Sequence, residues 1–339
     1  MELIIHENES GFDQLELNWN ALLINAVTHS PFLRFEYLRN WWKTKGGGEW
    51  HEPSRLLIIS SWHNGQLVGI APFFSTINRD GIEVLALLGS IEISDSLDLI
   101  VSPENHELFC SEVWKIILLD DRFPKNLEWY NLPIVSPTIS TFERLARQSG
   151  VTVIQEVYQP SPTILLPASF DGYLASIDKK QRHEIRRKIR RAEESGRNVR
   201  WYITTQLNEL NDHINELFRL MALDPKKAVF LTPLMRQQLE RCIRTSFDNG
   251  YLQLAFLEAD GKKVCVYLNF DLDDKIWVYN SGYDREYNDL SVGWVLLGYL
   301  IEYAIQLGRK EFDFMRGDED YKYKFGAINR PVMRLSITK

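Results

Sequence analysis

The sequence predicts an α/β (α+β) fold made of two tandem domains, each with a mixed central sheet. Three observations carry that expectation. At 339 residues the chain exceeds the usual size of one domain and suits two. Its composition, 45% hydrophobic and 25% charged with 10 Trp, 14 Tyr and 17 Phe, supplies the bulk for packed cores and argues against disorder. Hydrophobic periodicity then gives one order of elements twice: strand, two helices, three strands, helix, strand.

In the first half, residues 2–6 read as a strand, and 12–25 and 34–45 as helices, the second closed by Gly46-Gly47-Gly48. Strands follow at 55–60 and 66–75, with Asn64-Gly65 between them as a hairpin signal, and at 83–89 and 97–101. A helix at 105–119, a strand at 127–132, a helix at 138–149 ended by Gly150, and strands at 151–157 and 163–166 complete this half.

The second half opens with a strand at 198–204 and helices at 207–223 and 234–247. Strands at 251–258, 263–271 and 275–280 come next, and 332–338 is expected to close the same sheet. No residue-level repeat accompanies the duplicated order. The expected domains are 1–167 and 198–339, with a connecting helix over 168–197.

The last quarter holds the densest signal. Val292, Val295, Leu296, Tyr299, Leu300, Tyr303, Ala304 and Leu307 fall at helical spacing, with Ser291 placed as N-cap and Gly308 past the end. A helix that starts just beyond a strand end presents unpaired N–H groups, so Ser291, Val292 and Gly293 are the candidate anion site. Phe312 and Phe314 alternate with charged residues as a half-buried strand does. Beyond it, RGDEDYKYKFG sets Arg316, Asp318, Lys322 and Lys324 where that strand leaves its sheet, interleaved with Tyr321, Tyr323 and Phe325.

The segment DFMRGDEDYKYKFGA resembles the closing motif of the CelD-type acetyltransferases, associated in bacteria with cellulose or exopolysaccharide biosynthesis. These belong to the GNAT superfamily and are relatives of the Fem-type aminoacyl ligases. The matching positions are Asp313, Phe314, Arg316, Gly317, Asp318, Tyr321, Lys322, Phe325 and Gly326. The resemblance implies two tandem GNAT-like domains, with acyl-CoA as co-substrate and no permanently bound cofactor. It also implies a donor pyrophosphate held at the start of the helix after Ser291. Residues 288–293, Asn-Asp-Leu-Ser-Val-Gly, keep one glycine of the family's cradle and bring Asp289 close, where a carboxylate opposes phosphate.

Residues 179–191, KKQRHEIRRKIRR, concentrate positive charge: eight Lys or Arg against one Glu, in a chain whose net charge is −7. Leu174, Ile177, Ile185, Ile189 and Ala192 run through the segment as a helical stripe, so one face docks and the others are cationic. A solvated helix is one reading of such a run. The other is an anion site, in which Lys180, Arg182, Arg186, Arg187 and Arg190 draw phosphate groups. CelD relatives carry a similar basic helix after a Leu-Pro-x-Ser segment, here Leu166, Pro167 and Ser169. In Fem proteins the region is implicated in tRNA contact, which leaves tRNA as a second-ranked partner.

Three scattered cysteines and an N-terminus without a basic, apolar leader fit a cytoplasmic protein. The seven histidines show no ligand spacing, so no metal is expected. No nucleophile elbow or Walker loop is present.

The implied reaction is attack by an amine or hydroxyl of a small-molecule, sugar or cell-envelope acceptor on a thioester. The motif assigns Asp318 as base, Lys324 or Arg316 as charge stabiliser and Tyr321 as acid, with Asp313 and Lys322 at the substrate. The acceptor is expected in the cleft between domains. A Fem-like aminoacyl-tRNA-dependent ligase and a non-catalytic component of polysaccharide assembly are the alternatives.

Overall fold

The computed structural model describes residues 2–51 and 53–339. The chain divides into two compact units, Met1–Pro160 with Arg330–Lys339, and Ser161–Asn329. The first contains β1 (Glu2–His6), α1 (Ser10–Leu23), α2 (Phe35–Gly48), β2 (Arg55–His63), β3 (Gln66–Ile77), β4 (Glu83–Leu87) and β5 (Ile100–Val101). It continues with α3 (Pro103–Leu119), β6 (Asn126–Pro133), α4 (Pro137–Gln148) and β7 (Thr152–Gln159).

The second unit holds β8 (Pro162–Leu165), α5 (Phe170–Ser176), α6 (Lys179–Glu193), β9 (Arg200–Ile203), α7 (Leu207–Ala222), α8 (Pro225–Phe230) and α9 (Pro233–Asp248). Strands β10 (Leu252–Ala259), β11 (Lys262–Leu272) and β12 (Lys275–Tyr283) lead through a 3-10 turn, Arg285–Leu290, to α10 (Val292–Gln306). β13 (Glu311–Asp313), α11 (Asp320–Lys324) and β14 (Ile328–Asn329) follow, and β15 (Val332–Thr338) ends the chain.

The duplicated order is present, with one exchange. The first sheet runs β1-β2-β3-β4-β6-β15-β7 and the second β14-β8-β13-β12-β11-β10-β9. Strand β15 thus closes the first sheet, between β6 and β7, and not the second as its position in the chain suggested. Strand β8, expected in the first sheet, pairs with β13 and β14 of the second. Alternation tells which face of a strand is buried; it carries no information about which sheet accepts it. For the same reason the helix expected to connect two domains lies inside the second unit. Leu174, Ile177, Ile185 and Ala192 are all part of that unit's core.

Local chemistry explains the turns. Asn64-Gly65, Asp260-Gly261 and Asp273-Asp274 all take positive φ, the backbone that two-residue hairpins require. Gly308, at φ 72°, closes α10, with its N–H and that of Arg309 donating to Ile305 and Ala304.

Two features of the second sheet open a site. β12 and β13 are parallel and pair only from Lys275↔Glu311 to Trp277↔Asp313, after which β12 continues to Tyr283 with β11 as its strand partner and no β13 on its other edge. A wedge is left at the carboxyl end, where open sheets bind ligands. A bulge at Tyr279, which faces no residue of β11, shifts the register beside that wedge. Beyond the bulge Gly282 packs directly on α7. A Cβ there would lie 2.5 Å from the carbonyl carbon of Leu220 and the nitrogen of Met221, backbone atoms that cannot swing aside. Gly282→Ala is therefore expected to cost about 2 kcal/mol, read as a lower urea midpoint at unchanged slope.

Candidate functional site

The wedge holds a cavity of about 360 Å3 lined by Cys265 and Tyr267 of β11, Ser281 and Tyr283 of β12, residues 291–294 and Leu297 of α10, and Tyr321 of α11. The three residues expected to hold the donor, Ser291, Val292 and Gly293, are brought together here. Ser291 occupies the N-cap position in a left-handed conformation, φ 55°, and its side chain caps nothing. Its hydroxyl instead accepts a 2.8 Å hydrogen bond from the Arg191 guanidinium. The expected serine cap is corrected accordingly: a left-handed backbone swings the Oγ away from the first-turn amides. The Val292 and Gly293 amides remain unpaired, and a Cβ at Gly293 would meet nothing within 4 Å. Both amides are open to an anion or a carbonyl.

Three tyrosines, Tyr267, Tyr283 and Tyr321, line the same space. Tyr267 is buried and donates to the Gly293 carbonyl at 3.4 Å. Burial pushes its phenol well above the usual tyrosine value, with Tyr321, Cys265 and Tyr283 adding to the effect. Burial likewise raises Tyr321, with a smaller contribution from Glu319. Both therefore stay protonated near neutrality and act as donors. The Cys265 thiol is also pushed up by burial, which removes it as a thiolate nucleophile. No carboxylate among the described residues lines the cavity.

The RGD-to-YKYK stretch divides into scaffold and site. Asp313 is buried, and its carboxylate accepts from the Met315 N–H at 2.7 Å. Met315 then turns left-handed, φ 57°, and the strand stops at Asp313, before Phe314. Lys322 is 3% exposed; its ammonium donates to the carbonyls of Met315, Arg316 and Gly317 at 3.3, 2.8 and 3.2 Å. It also pairs with Glu319 at 2.9 Å. Asp313 and Lys322, expected at the substrate, are committed to holding this loop. A buried ammonium needs those carbonyls, and the carbonyls need it. Gly317, at φ 119°, takes a backbone conformation that residues with a side chain rarely adopt, and a Cβ would also press on the ends of the Glu319 and Lys322 side chains.

The scaffold delivers one side chain to the cavity. Tyr321 packs edge-on to Phe314 at 5.9 Å and, alone among the four expected catalytic residues, lines the space. Asp318 is exposed and accepts from the Tyr323 hydroxyl at 2.7 Å. Lys324 forms an ion pair with Asp320, and Arg316 is half-buried in the loop.

The basic helix divides in the same way. Ile185 and Ala192 are buried, and Ile189 approaches α10 at Gly298, where a Cβ would sit 3.0 Å from Ile189 Cδ1. Lys188 lies 3.6 Å above the Trp294 ring and Tyr299 donates to Glu193 at 2.9 Å. This docking turns Arg187, Arg190 and Arg191 toward the start of α10. With Arg197, Glu194, Ser195, Asp289 and Leu290 they line an open groove of about 680 Å3. Asp289, expected to oppose a phosphate, is paired with Arg197 at 3.1 Å. Elsewhere, Arg182 donates to the Leu174 carbonyl at 3.4 Å and Arg186 pairs with Asp171 at 3.0 Å. Lys180 is exposed at the helix start and its backbone N–H is capped by Asp178 at 2.8 Å. Of the basic-helix residues expected to draw phosphate, Arg187 and Arg190 reach the groove, and Lys180, Arg182 and Arg186 do not line it.

The first unit treats its equivalent wedge differently. β4 and β6 pair at Val84↔Asn126 and Leu85↔Leu127, and residues 88–99 then fill the opening. The Asn131 side chain donates to the carbonyls of Ile91 and Ser94, and the Leu97 N–H to the Asn131 carbonyl. Asp98, fully buried, accepts from Thr28, Ser136 and Thr138. Burial raises its carboxyl above the usual range, an effect those hydrogen bonds oppose.

Sequence reasoning missed Cys265, Tyr267, Arg191 and Arg197. The first two were available, since positions two apart on a strand share a face. Arg191 and Arg197 had no such signal, because only the docking of α6 shows which arginines face α10.

Residues 179–323 match the family model described as an acetyltransferase (GNAT) domain. No curated protein matches the chain. Among solved structures the chain is similar to FemX, with 12% identity, a TM-score of 0.64 and coverage of 98% of this chain and 97% of that one. A conserved protein of unknown function from Bacteroides thetaiotaomicron gives 11%, 0.60, 99% and 100%. L-PGS from Bacillus licheniformis gives 9%, 0.57, 98% and 92%. At these identities the likeness is one of fold. The fold class is the expected one: a tandem, GNAT-like α/β protein with two mixed sheets, whose second unit carries the acetyltransferase-domain match.

Proposed function

We propose that the chain is a CelD-like acyltransferase that moves an acyl group, acetyl first among them, from acyl-CoA to an amine or hydroxyl of a small-molecule, sugar or cell-envelope acceptor. One observation carries this reading. The largely apolar cavity and the arginine groove flank a single loop, residues 288–292. A thioester arm joined to a phosphate-bearing nucleotide needs an apolar slot beside a cationic one. The unpaired Val292 and Gly293 amides stand between the two.

In this reading the acceptor's lone pair attacks the thioester carbon, the new C–N or C–O bond forms, and the C–S bond breaks. Tyr321, protonated and at the cavity wall, donates its proton to the departing thiolate. The acceptor's proton leaves to a group outside the cavity, and Asp318 is the carboxylate we assign to it. Arg316 and Lys324, on the same loop and helix, are our candidates for stabilising the oxyanion. We place the reaction in the cytoplasm, a reading supported by three buried cysteines that form no disulfide with one another. No helix of the described residues is long and apolar enough to cross a membrane.

Calorimetry and thermal shift with acetyl-CoA, longer acyl-CoAs and free CoA test the donor directly. One donor per chain is expected, because residues 88–99 fill the first unit's wedge; absence of any response overturns the reading. Replacing Arg190 and Arg191 by Gln should weaken acetyl-CoA binding at least tenfold or so and flatten its salt dependence. Tyr321→Phe should lower kcat about a hundredfold with KM for acetyl-CoA nearly unchanged, followed as thiol release with a panel of amine and sugar acceptors.

The exposed arginine groove also suits the phosphates of an aminoacyl-tRNA, the second reading. Activity abolished by ribonuclease, with no response to acyl-CoA, would decide for it.

A further inference from the structure

Beyond the bulge, the edge of β12 that faces the wedge has lost its β13 partner, and its polar groups must be satisfied some other way. Ser281, which lines the cavity, has its N–H taken by the Asn280 side-chain oxygen at 2.9 Å. Its carbonyl accepts from the ammonium of Lys227 at 2.5 Å, and the same ammonium donates to the Asn280 oxygen at 3.0 Å. Lys227 therefore stands where a neighbouring strand would otherwise supply donors.

It reaches there from α8, a six-residue helix with no buried residue, capped by Asp224. Asp224 also pairs with Arg285 at 3.2 Å, just past the end of β12. Sequence periodicity gives no hint of this helix, since its residues neither alternate nor form a stripe.

We propose that Lys227 is a positioning residue of the donor cavity: it fixes Asn280 and Ser281 so that the wall β12 presents to the cavity is held in place for the amide-bearing arm of an acyl thioester. The inference rests on the acyl-CoA reading and adds to it a residue outside the matched motif. Four groups surround the ammonium. Asp224 lies on its own helix, Glu319 precedes α11, Cys265 comes from β11, and Asn280 from β12. Burial lowers the ammonium's pKa, an effect opposed first by the charge of Asp224 and then by Glu319 and Cys265, while the Ser281 carbonyl and the Asn280 oxygen accept its hydrogens. With the Ser281 N–H and carbonyl already satisfied, Lys227 offers the arm an ordered wall, and such an arm binds tightly only where the wall it lies on is already ordered.

The test compares the full chain with Lys227→Met and Lys227→Arg against two probes by calorimetry. Acetyl-CoA contains the amide arm; adenosine 3′,5′-bisphosphate lacks it. Lys227→Met should raise the acetyl-CoA Kd about tenfold, the low end for a charge-assisted hydrogen bond, and leave the bisphosphate Kd unchanged. Lys227→Arg, which keeps a cationic donor, should recover most of the affinity. An unchanged acetyl-CoA Kd in the Met variant overturns the inference. So does an equal loss for both probes, which marks general unfolding. Failure of the wild type to bind acetyl-CoA at all removes the donor reading, and this inference with it.

Discussion

The close approach of α6 to α10 is the contact on which the candidate site depends. Ile185, Ile189 and Ala192 form the docked face, and Gly298 is the residue that lets it come near. Glycine inside a helix costs about 1 kcal/mol relative to alanine. Here the cost is offset by burial of two isoleucines. Once that face is down, the heading of every arginine on α6 follows from helical geometry. Arg187, Arg190 and Arg191 then face the start of α10, while Arg186 turns to Asp171.

Around the cavity, several groups are held in conformations they would not adopt alone. Ser291 and Met315 are left-handed without being glycine, which costs roughly 1–2 kcal/mol each. Each is fixed by specific bonds: Arg191 to the Ser291 hydroxyl, and Asp313 to the Met315 amide. Lys322 buttresses the same loop through three carbonyls. The result is a frame that sets two α10 amides, two protonated tyrosines and Ser281 of β12 around a single space. Such preorganisation is what a transfer reaction at a thioester would draw on.

Much of this was legible beforehand, and the reasons differ by element. The hairpins at Asn64-Gly65 and Gly261 and the end of α10 at Gly308 follow from local backbone preferences that no tertiary contact overrides. That Ser291, Val292 and Gly293 line the cavity was foreseeable, because a helix start after a strand presents first-turn amides wherever it occurs. The motif divides into residues that hold the loop and one that reaches the cavity. Its unusual letters mark a constrained loop, and Asp313, Gly317 and Lys322 supply the constraint. Unusual composition reports constraint without distinguishing scaffold from reactive group. Residues such as Tyr267 and Lys227 carry no unusual composition, so they stayed silent.

By itself the sequence determined the two-fold order of elements, the helix ends, the tight turns and the place of the cationic helix, since each depends on residues near one another in the chain. Tertiary structure alone decided that β8 and β15 trade sheets, which arginines meet α10, and that the first unit's wedge is filled while the second's stays open. Those outcomes depend on pairings between segments up to two hundred residues or so apart, such as β6 with β15. Side-chain alternation constrains the buried face of each segment but not the identity of its partner.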